Sequence, residues 1–352
     1  MGKSLDRYLS QLFQSMQNGN LTLFVGSAIS TFPPTNIPTG LRIIDSMLHL
    51  LAERDFEGKY ESADYFRTKF LFSMSLEGIL EICDYKNNVY SFMKCLFERA
   101  IPNPAHAFIA NLIHKRLVHS VITTNYDEGI EKAYKRISGK TLLPIKQDTK
   151  ISAKGYPYYF KIHGSISDSR EQIINTLSQE SKGLPRWKAE SLNSLLANKD
   201  VLFIGYSGYD FDICPLLLNM PIRNVYWCTK GSLKSCVSYE ASVVISKFNS
   251  AILNMDLREL FRTMASLVSL PYSVPSNPVR SEKKIDTLFK SCFSKEERHL
   301  WFIIMLNIIG LGKDARAQCE YLLNKRSVSP ANLSRVKREY GVAMFNLGRY
   351  LV

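Results

Sequence analysis

The sequence predicts an α/β fold: a doubly wound parallel sheet carried by the first three quarters of the chain, followed by a small all-helical segment. Three observations predict it. Five short apolar runs of strand length are separated by helical patterns, as expected of a parallel sheet covered on both faces. Nearly every run ends in glycine and polar residues, where the strand-to-helix turns of βαβ units belong. Beyond a proline-rich stretch at 271–280 the pattern becomes entirely helical.

Leu5, Tyr8, Leu9, Leu12, Phe13 and Met16 recur at helical spacing, so residues 4–18 read as an amphipathic helix ended by Gly19. Leu21–Val25 reads as the first strand and runs into Gly26-Ser-Ala-Ile-Ser30. A loop from Phe32 to Pro38 precedes helical patterns through about residue 115. The next strands are Ser120–Thr124, Tyr158–Ile162, Val201–Ile204 and Asn224–Cys228. Asn125-Tyr-Asp127 follows the second strand, before a helix from Glu128. His163-Gly164 follows the third, and Gly205-Tyr-Ser-Gly208 follows the fourth, before a helix near Phe211–Leu218.

In the tail, Trp301–Ile309, Ala315–Asn324 and Leu333–Leu347 read as three helices. Leu311-Gly312 and Leu347-Gly348 recur 36 residues apart, each read as ending an apolar helix. That is close to the tetratricopeptide-type period of about 34 residues. The expected division is a domain over 1–270, a linker over 271–280 and a helical, repeat-like segment over 281–352. The segment stops where a second repeat would need its partner helix, which anticipates a longer natural chain.

Composition narrows the function classes. With 45% hydrophobic and 22% charged residues the chain reads as an ordinary soluble globular protein. Its longest apolar run, Leu300–Ile309, is broken by Asn307 and falls far short of the roughly 18–20 residues that span a bilayer. The N-terminus lacks the apolar core and cleavage site of a signal peptide. A cytoplasmic protein with no membrane partner is expected. The seven cysteines are scattered without a C-x-x-C pair, against a disulfide framework or zinc ribbon, and no metal is expected. The net charge is +13, and Arg280 to Val352 holds 14 Lys/Arg against 7 Asp/Glu. A basic face can attract nucleic acid. No nucleic-acid motif accompanies it, so a solvated or partner-facing helical surface is favoured.

Four polar clusters carry the candidate chemistry. Each follows a strand, and ligands of doubly wound sheets sit beyond the strands' carboxyl ends, so the clusters should converge. Gly26, Ser27, Ala28 and Ser30 are small enough to let a pyrophosphate approach free N–H groups at a helix start. A plain tight turn is the competing reading. Thr124, Asn125 and Asp127 either cap a helix or hold a ribose or carboxamide, and capping needs only one of them. His163 has the ordinary pKa that suits acid–base work near neutral pH. The remaining histidines, His106 among them, read as structural or surface. Gly205, Ser207 and Asp210 form another glycine-containing turn, where Ser207 meets a phosphate or ribose, and Asp210 or Asp212 caps the next helix.

In this order, Gly-Ser-Ala-Ile-Ser, Thr-Asn-Tyr-Asp, Ile-His-Gly and Gly-Tyr-Ser-x-x-Asp resemble the SIR2 (sirtuin-like) family over about residues 5–265. The resemblance is greatest to its bacterial anti-phage defence branch. It implies a Rossmann-like sheet that binds NAD. Gly26, Ala28 and Ser30 match the family's first NAD-phosphate loop, although Ala28 stands where glycine is usual. Asn125 and Asp127 match its residues near the nicotinamide ribose, His163 its catalytic histidine, and Gly205 and Ser207 its second dinucleotide-contacting loop. Asn103-Pro-x-x-His106 resembles the helix start before the Thr-Asn strand. The two cysteine pairs of the protein-deacetylating members are missing.

The implied function is an NAD+ hydrolase that breaks the nicotinamide–ribose bond, giving nicotinamide and ADP-ribose, as an effector of anti-phage abortive infection. Asn125 would position the ribose or a water. His163 would accept a proton from a ribose hydroxyl or the attacking water. Asp127 would stabilise positive charge or orient the nicotinamide. The alternatives are an NAD or ADP-ribose sensor without turnover, an NAD-dependent protein deacylase, and an inactive scaffold acting through its basic tail. Because unrestrained NAD loss is toxic, a homo-oligomer and a phage-derived or partner-protein trigger acting through the tail are expected.

Overall fold

The computed structural model describes residues 2–51, 75–83, 88–98, 100–152, 155–231, 233–273, 283–324 and 328–348. The helical patterns expected within 52–74, and residues 274–280 of the expected linker, lie outside them. The chain divides into two compact units, Met1–Thr39 with Leu96–Ser281, and Gly40–Cys95 with Glu282–Val352.

Among the described residues the first unit has six strands: β1 (Leu21–Val25), β2 (Ser120–Thr123), β3 (Tyr158–Lys161), β4 (Asp200–Ile204), β5 (Asn224–Thr229) and β6 (Ser250–Asn254). Their order is β3-β2-β1-β4-β5-β6, and every neighbouring pair is parallel. The five expected strands are present, and β6 adds an edge that the sequence reading lacks. An edge strand needs no continuous apolar run. In β6, Ala251 and Leu253 are buried while Ile252 is exposed.

Strand alternation sorts the side chains into two layers. Leu23, Val25, Leu202, Ile204, Tyr226 and Cys228 share one core with residues of the helices Gly2–Gln17, Pro104–His114 and Leu257–Leu267. Phe24, Ile122, Phe160, Val201, Phe203 and Trp227 share the other with residues of Arg186–Leu196 and Tyr239–Lys247. Phe203 and Trp227 stack with centroids 4.1 Å apart, a pairing worth about 0.5–1.5 kcal/mol beyond its buried area. Helices on both faces of a parallel sheet make this a doubly wound α/β fold. The connections run outward from β1 on one side and from β4 on the other, so the topological switch point lies between these two strands. Val25 pairs with Ile204, which brings the residues that follow both strands to the same level.

The second unit contains the helices Gly40–Leu51, Leu76–Cys83, Lys283–Cys292, Lys295–Ile308, Gly312–Asn324 and Pro330–Asn346. This division differs from the expected 1–270 and 281–352, because the described helices between 40 and 95 pack with the C-terminal helices. Aromatic burial is the reason: the Phe92 ring meets Phe289 at 5.8 Å and Phe293 at 5.7 Å, and Phe293 meets Trp301 at 4.6 Å. The 36-residue recurrence is not a structural equivalence either. Gly312 opens a helix, whereas Gly348 follows one. The counterpart of Gly348 is Gly310, and both have positive φ, 65° and 79°. Such left-handed residues commonly end helices. No described helix is long and apolar enough to cross a membrane, and all seven cysteines are free thiols.

Candidate active site

The turns after β1 and β4 meet at the switch point. The Gly26 N–H donates to the Ile204 carbonyl at 2.9 Å, and the Ala28 N–H donates to the Gly205 carbonyl at 3.2 Å. A Cβ on Gly26 would lie 2.4 Å from the Gly205 oxygen and 2.6 Å from the Tyr206 Cα, so only glycine fits there. Gly205 itself has φ +62°, the left-handed region that favours glycine. Residues Ser27–Thr31 form a 3-10 turn rather than an α-helical start. Two of the N–H groups expected to be free for a phosphate are therefore engaged by the β4 turn. Ser27 is exposed. The Ala28 methyl faces Gly205, 3.0 Å from where a side chain on that residue would begin.

Ser30 turns inward from the same segment. Its hydroxyl donates to Asp127 Oδ2 at 2.8 Å and lies 3.1 Å from His106 Nε2. Asn125 Nδ2 reaches the Gly26 carbonyl at 3.2 Å and the Ser30 hydroxyl at 3.4 Å. His106 Nδ1 accepts the Asn103 N–H at 3.2 Å in a capping box, which leaves Nε2 to donate toward Ser30. Burial lowers the proton affinity of His106, against the attraction of Asp127. His106, read as structural, braces the Asn125–Asp127 turn through Ser30. Gly129 makes room for it, since a Cβ there would stand 2.5 Å from the ring. Asp127 is also engaged on its other oxygen, which accepts the Gly129 N–H at 2.9 Å. It therefore ties the Gly129 N–H at the helix start to Ser30, while the N-cap position itself is Glu128. Asn125 Oδ1 is buried with no hydrogen-bond partner among the described residues. Thr124 is half-buried at the end of β2.

A buried ion pair supports this turn from below. Lys161 Nζ donates to the Asp127 carbonyl at 2.6 Å and to Glu131 Oε1 at 3.0 Å. Burial pushes the Glu131 carboxyl up, and the Lys161 charge opposes that push.

His163 occupies the carboxyl end of β3, buried to 1% exposure. Its Nε2 lies 3.2 Å from Asp212 Oδ1, and its Nδ1 lies 3.7 Å from Asp210 Oδ1. Burial favours the neutral ring. The Asp212 hydrogen bond and the charges of Asp212, Asp210 and Glu180 outweigh it and raise the pKa to about 9. The Asp210 carboxyl is itself pushed up by burial, against the pull of His163. The Tyr126 ring stacks on His163 at 6.4 Å and joins the two groups of residues. Lys188 donates to the Ile162 carbonyl beside them.

The sequence reading passed over Glu180 and Lys188, which lie in the long segment between β3 and β4 where no motif marks them. Neither Asp210 nor Asp212 caps the next helix, a single turn, Cys214–Leu217, whose N-cap makes no side-chain bond. A signal was available in the alternation Tyr209-Asp210-Phe211-Asp212. It turns both carboxylates inward and leaves the two aromatic rings exposed. Ser207 is exposed, and its carbonyl accepts the Ser238 N–H at 2.9 Å.

Residues 119–219 match the family model described as a SIR2-like domain. The chain is 25% identical over 224 residues to "Defense-associated sirtuin 2" of Bacillus subtilis, an alignment covering 59% of this chain and 20% of that protein. This chain thus spans about a fifth of that relative's length. Among solved structures, a SIR2 protein in complex with an inhibitor, 2′-O-acetyl-ADP-ribose and a deacetylated peptide is 16% identical, with 74% of this chain and 100% of that chain covered and a TM-score of 0.43. Sir2Tm bound to a propionylated peptide is 16% identical, with 75% and 99% covered and a TM-score of 0.41. The matched segment, residues 119–219, is thus similar to a SIR2-like domain, and it holds the Thr-Asn-Tyr-Asp, Ile-His-Gly and Gly-Tyr-Ser-x-x-Asp clusters.

Proposed function

We propose that the sheet-bearing unit binds NAD across the carboxyl ends of its strands and hydrolyses the nicotinamide–ribose bond. The observations that carry this reading are a glycine-on-glycine turn at the switch point, an amide with a free buried oxygen beside it, and a histidine set among carboxylates after β3. The glycine contact between the β1 and β4 turns allows a dinucleotide to lie close to backbone. The unpaired Asn125 Oδ1 is an acceptor suited to a ribose hydroxyl or a water.

In the reaction the C1′–N bond breaks and its electron pair passes to the nicotinamide nitrogen. The ribose acquires oxocarbenium character, and water adds at C1′. The carboxylates around His163 favour that developing positive charge. His163 takes the water's proton or a ribose hydroxyl's, after first releasing the proton it holds at neutral pH. Asp127 acts mainly through position, because both of its oxygens are engaged. The missing cysteine pairs favour hydrolysis over deacylation.

The name of the Bacillus subtilis relative supports a role in defence. Under that reading the all-helical unit and assembly into homo-oligomers restrain NAD loss until a phage-derived or partner-protein trigger arrives. The expected result is nicotinamide release by the purified chain, lost by at least 10²-fold in His163→Ala and in Asn125→Ala with folding retained. Undiminished turnover by both variants would remove the assignment. The high proton affinity of His163 favours a second reading, NAD binding without turnover. NAD binding with no free nicotinamide, tested with and without phage-infected extract, would select it.

A further inference from the structure

Three carboxylates surround one imidazole beneath the protein surface. His163, Glu180 and Asp212 are each at most 4% exposed, and the Asp210 side chain is 17% exposed. One nitrogen of His163 and one oxygen each of Glu180 and Asp210 all lie within 4.8 Å of one another. Nδ1 is the ring nitrogen on the Asp210 side, at 3.7 Å. Asp212 holds the opposite nitrogen at 3.2 Å, and its second oxygen is buried with no hydrogen-bond partner among the described residues. The nearby Lys188 ammonium donates to the Ile162 carbonyl.

We propose that His163, Glu180 and Asp210 bind one divalent transition-metal ion, and that the bound ion blocks the NAD cleavage proposed above. The second half rests on that functional reading; the first half does not. One imidazole nitrogen with two carboxylate oxygens is a donor set for Mn2+, Fe2+ or Zn2+. A carboxylate on the far ring nitrogen fixes the tautomer and orientation of a metal-binding histidine, and Asp212 stands there. Bonds of about 2.0–2.2 Å hold donor atoms about 3–4 Å apart, so modest side-chain rotations close this set around an ion. Binding displaces the proton on Nδ1 to solvent. It also takes the nitrogen that must accept a proton in hydrolysis.

The test is a titration of metal-stripped, thiol-blocked full-length protein with Mn2+, followed by electron paramagnetic resonance, and with Zn2+ by equilibrium dialysis. We expect one ion per chain, bound at least tenfold more weakly by Glu180→Gln. Asp210→Asn, at the more exposed ligand, serves where Glu180→Gln does not fold. No saturable binding of either ion by the unsubstituted chain overturns the site, as does binding that the folded variants leave unchanged. Ion counting needs no NAD turnover, so its result is independent of the proposed hydrolysis. Nicotinamide release by the Mn2+-saturated protein at the metal-free rate would overturn the block and leave the site standing.

Discussion

At the residue scale, His163 ties stability to pH and, in the proposed hydrolysis, carries the proton transfer. Its folded pKa of about 9 lies above the ordinary 6.5. The stabilisation is therefore fully present below pH 6.5 and is lost as pH rises through 9, on the order of 3 kcal/mol in all. His106 has the opposite sign, because burial lowers its pKa. It opposes folding as pH falls below 6.5, where the unfolded chain binds the proton more readily. Denaturant midpoints should thus be highest near pH 6.5, and His163→Gln should flatten the alkaline limb. A limb unchanged in that variant would assign the loss to another group. If His163 accepts a proton in catalysis, NAD cleavage should rise with pH toward 9, and Asp212→Asn should move that rise to lower pH. A rate that instead falls above pH 9 would mean that the protonated ring is the working form.

At the scale of elements, the site consists of strand ends and the turns that follow them. Gly26 joins β1 to a 3-10 turn while pressed against the β4 turn. The atoms a methyl would strike are backbone, so they cannot rotate away. Gly26→Ala should destabilise the protein by about 1–3 kcal/mol and weaken NAD binding at least as much as it weakens folding. Calorimetry with and without NAD separates the two effects, and an unchanged midpoint would contradict the close approach. The turn after β2 depends likewise on Gly129, whose missing side chain leaves space for the His106 ring. Gly26 was legible as part of a motif, because glycine and short polar residues at strand ends are a local pattern, whereas the need for glycine at 129 was not. The bracing chain from His106 through Ser30 to Asp127 was not legible either, since its members lie up to 97 residues apart.

At the scale of the molecule, the chain passes from the sheet-bearing unit into the helical one at about residue 40 and returns at about 95. The helix Gly40–Leu51 packs on Leu76–Cys83, Lys283–Cys292 and Lys295–Ile308. Removing everything after residue 281 would strip Phe289, Phe293 and Trp301 from Phe92 and from these helices. Losing even one such aromatic side chain costs about 3–5 kcal/mol. The truncated chain is expected to aggregate and bind a hydrophobic dye, as measured by light scattering and fluorescence. A monodisperse truncated protein with unchanged helix content per residue would refute this division of the core.

The sequence by itself determined the α/β class, five of the six strands and the positions of the strand-end clusters. Hydrophobic period and turn chemistry are local properties, readable within a few residues. Tertiary structure decided the rest. It placed the described helices between 40 and 95 in the helical unit, because side chains far apart in sequence find their burial together. It set Asp212 and Glu180 around His163, turning a histidine of ordinary proton affinity into a strongly basic one. It also turned the Ala28 methyl toward Gly205, a contact that exists only because the parallel sheet places β1 beside β4.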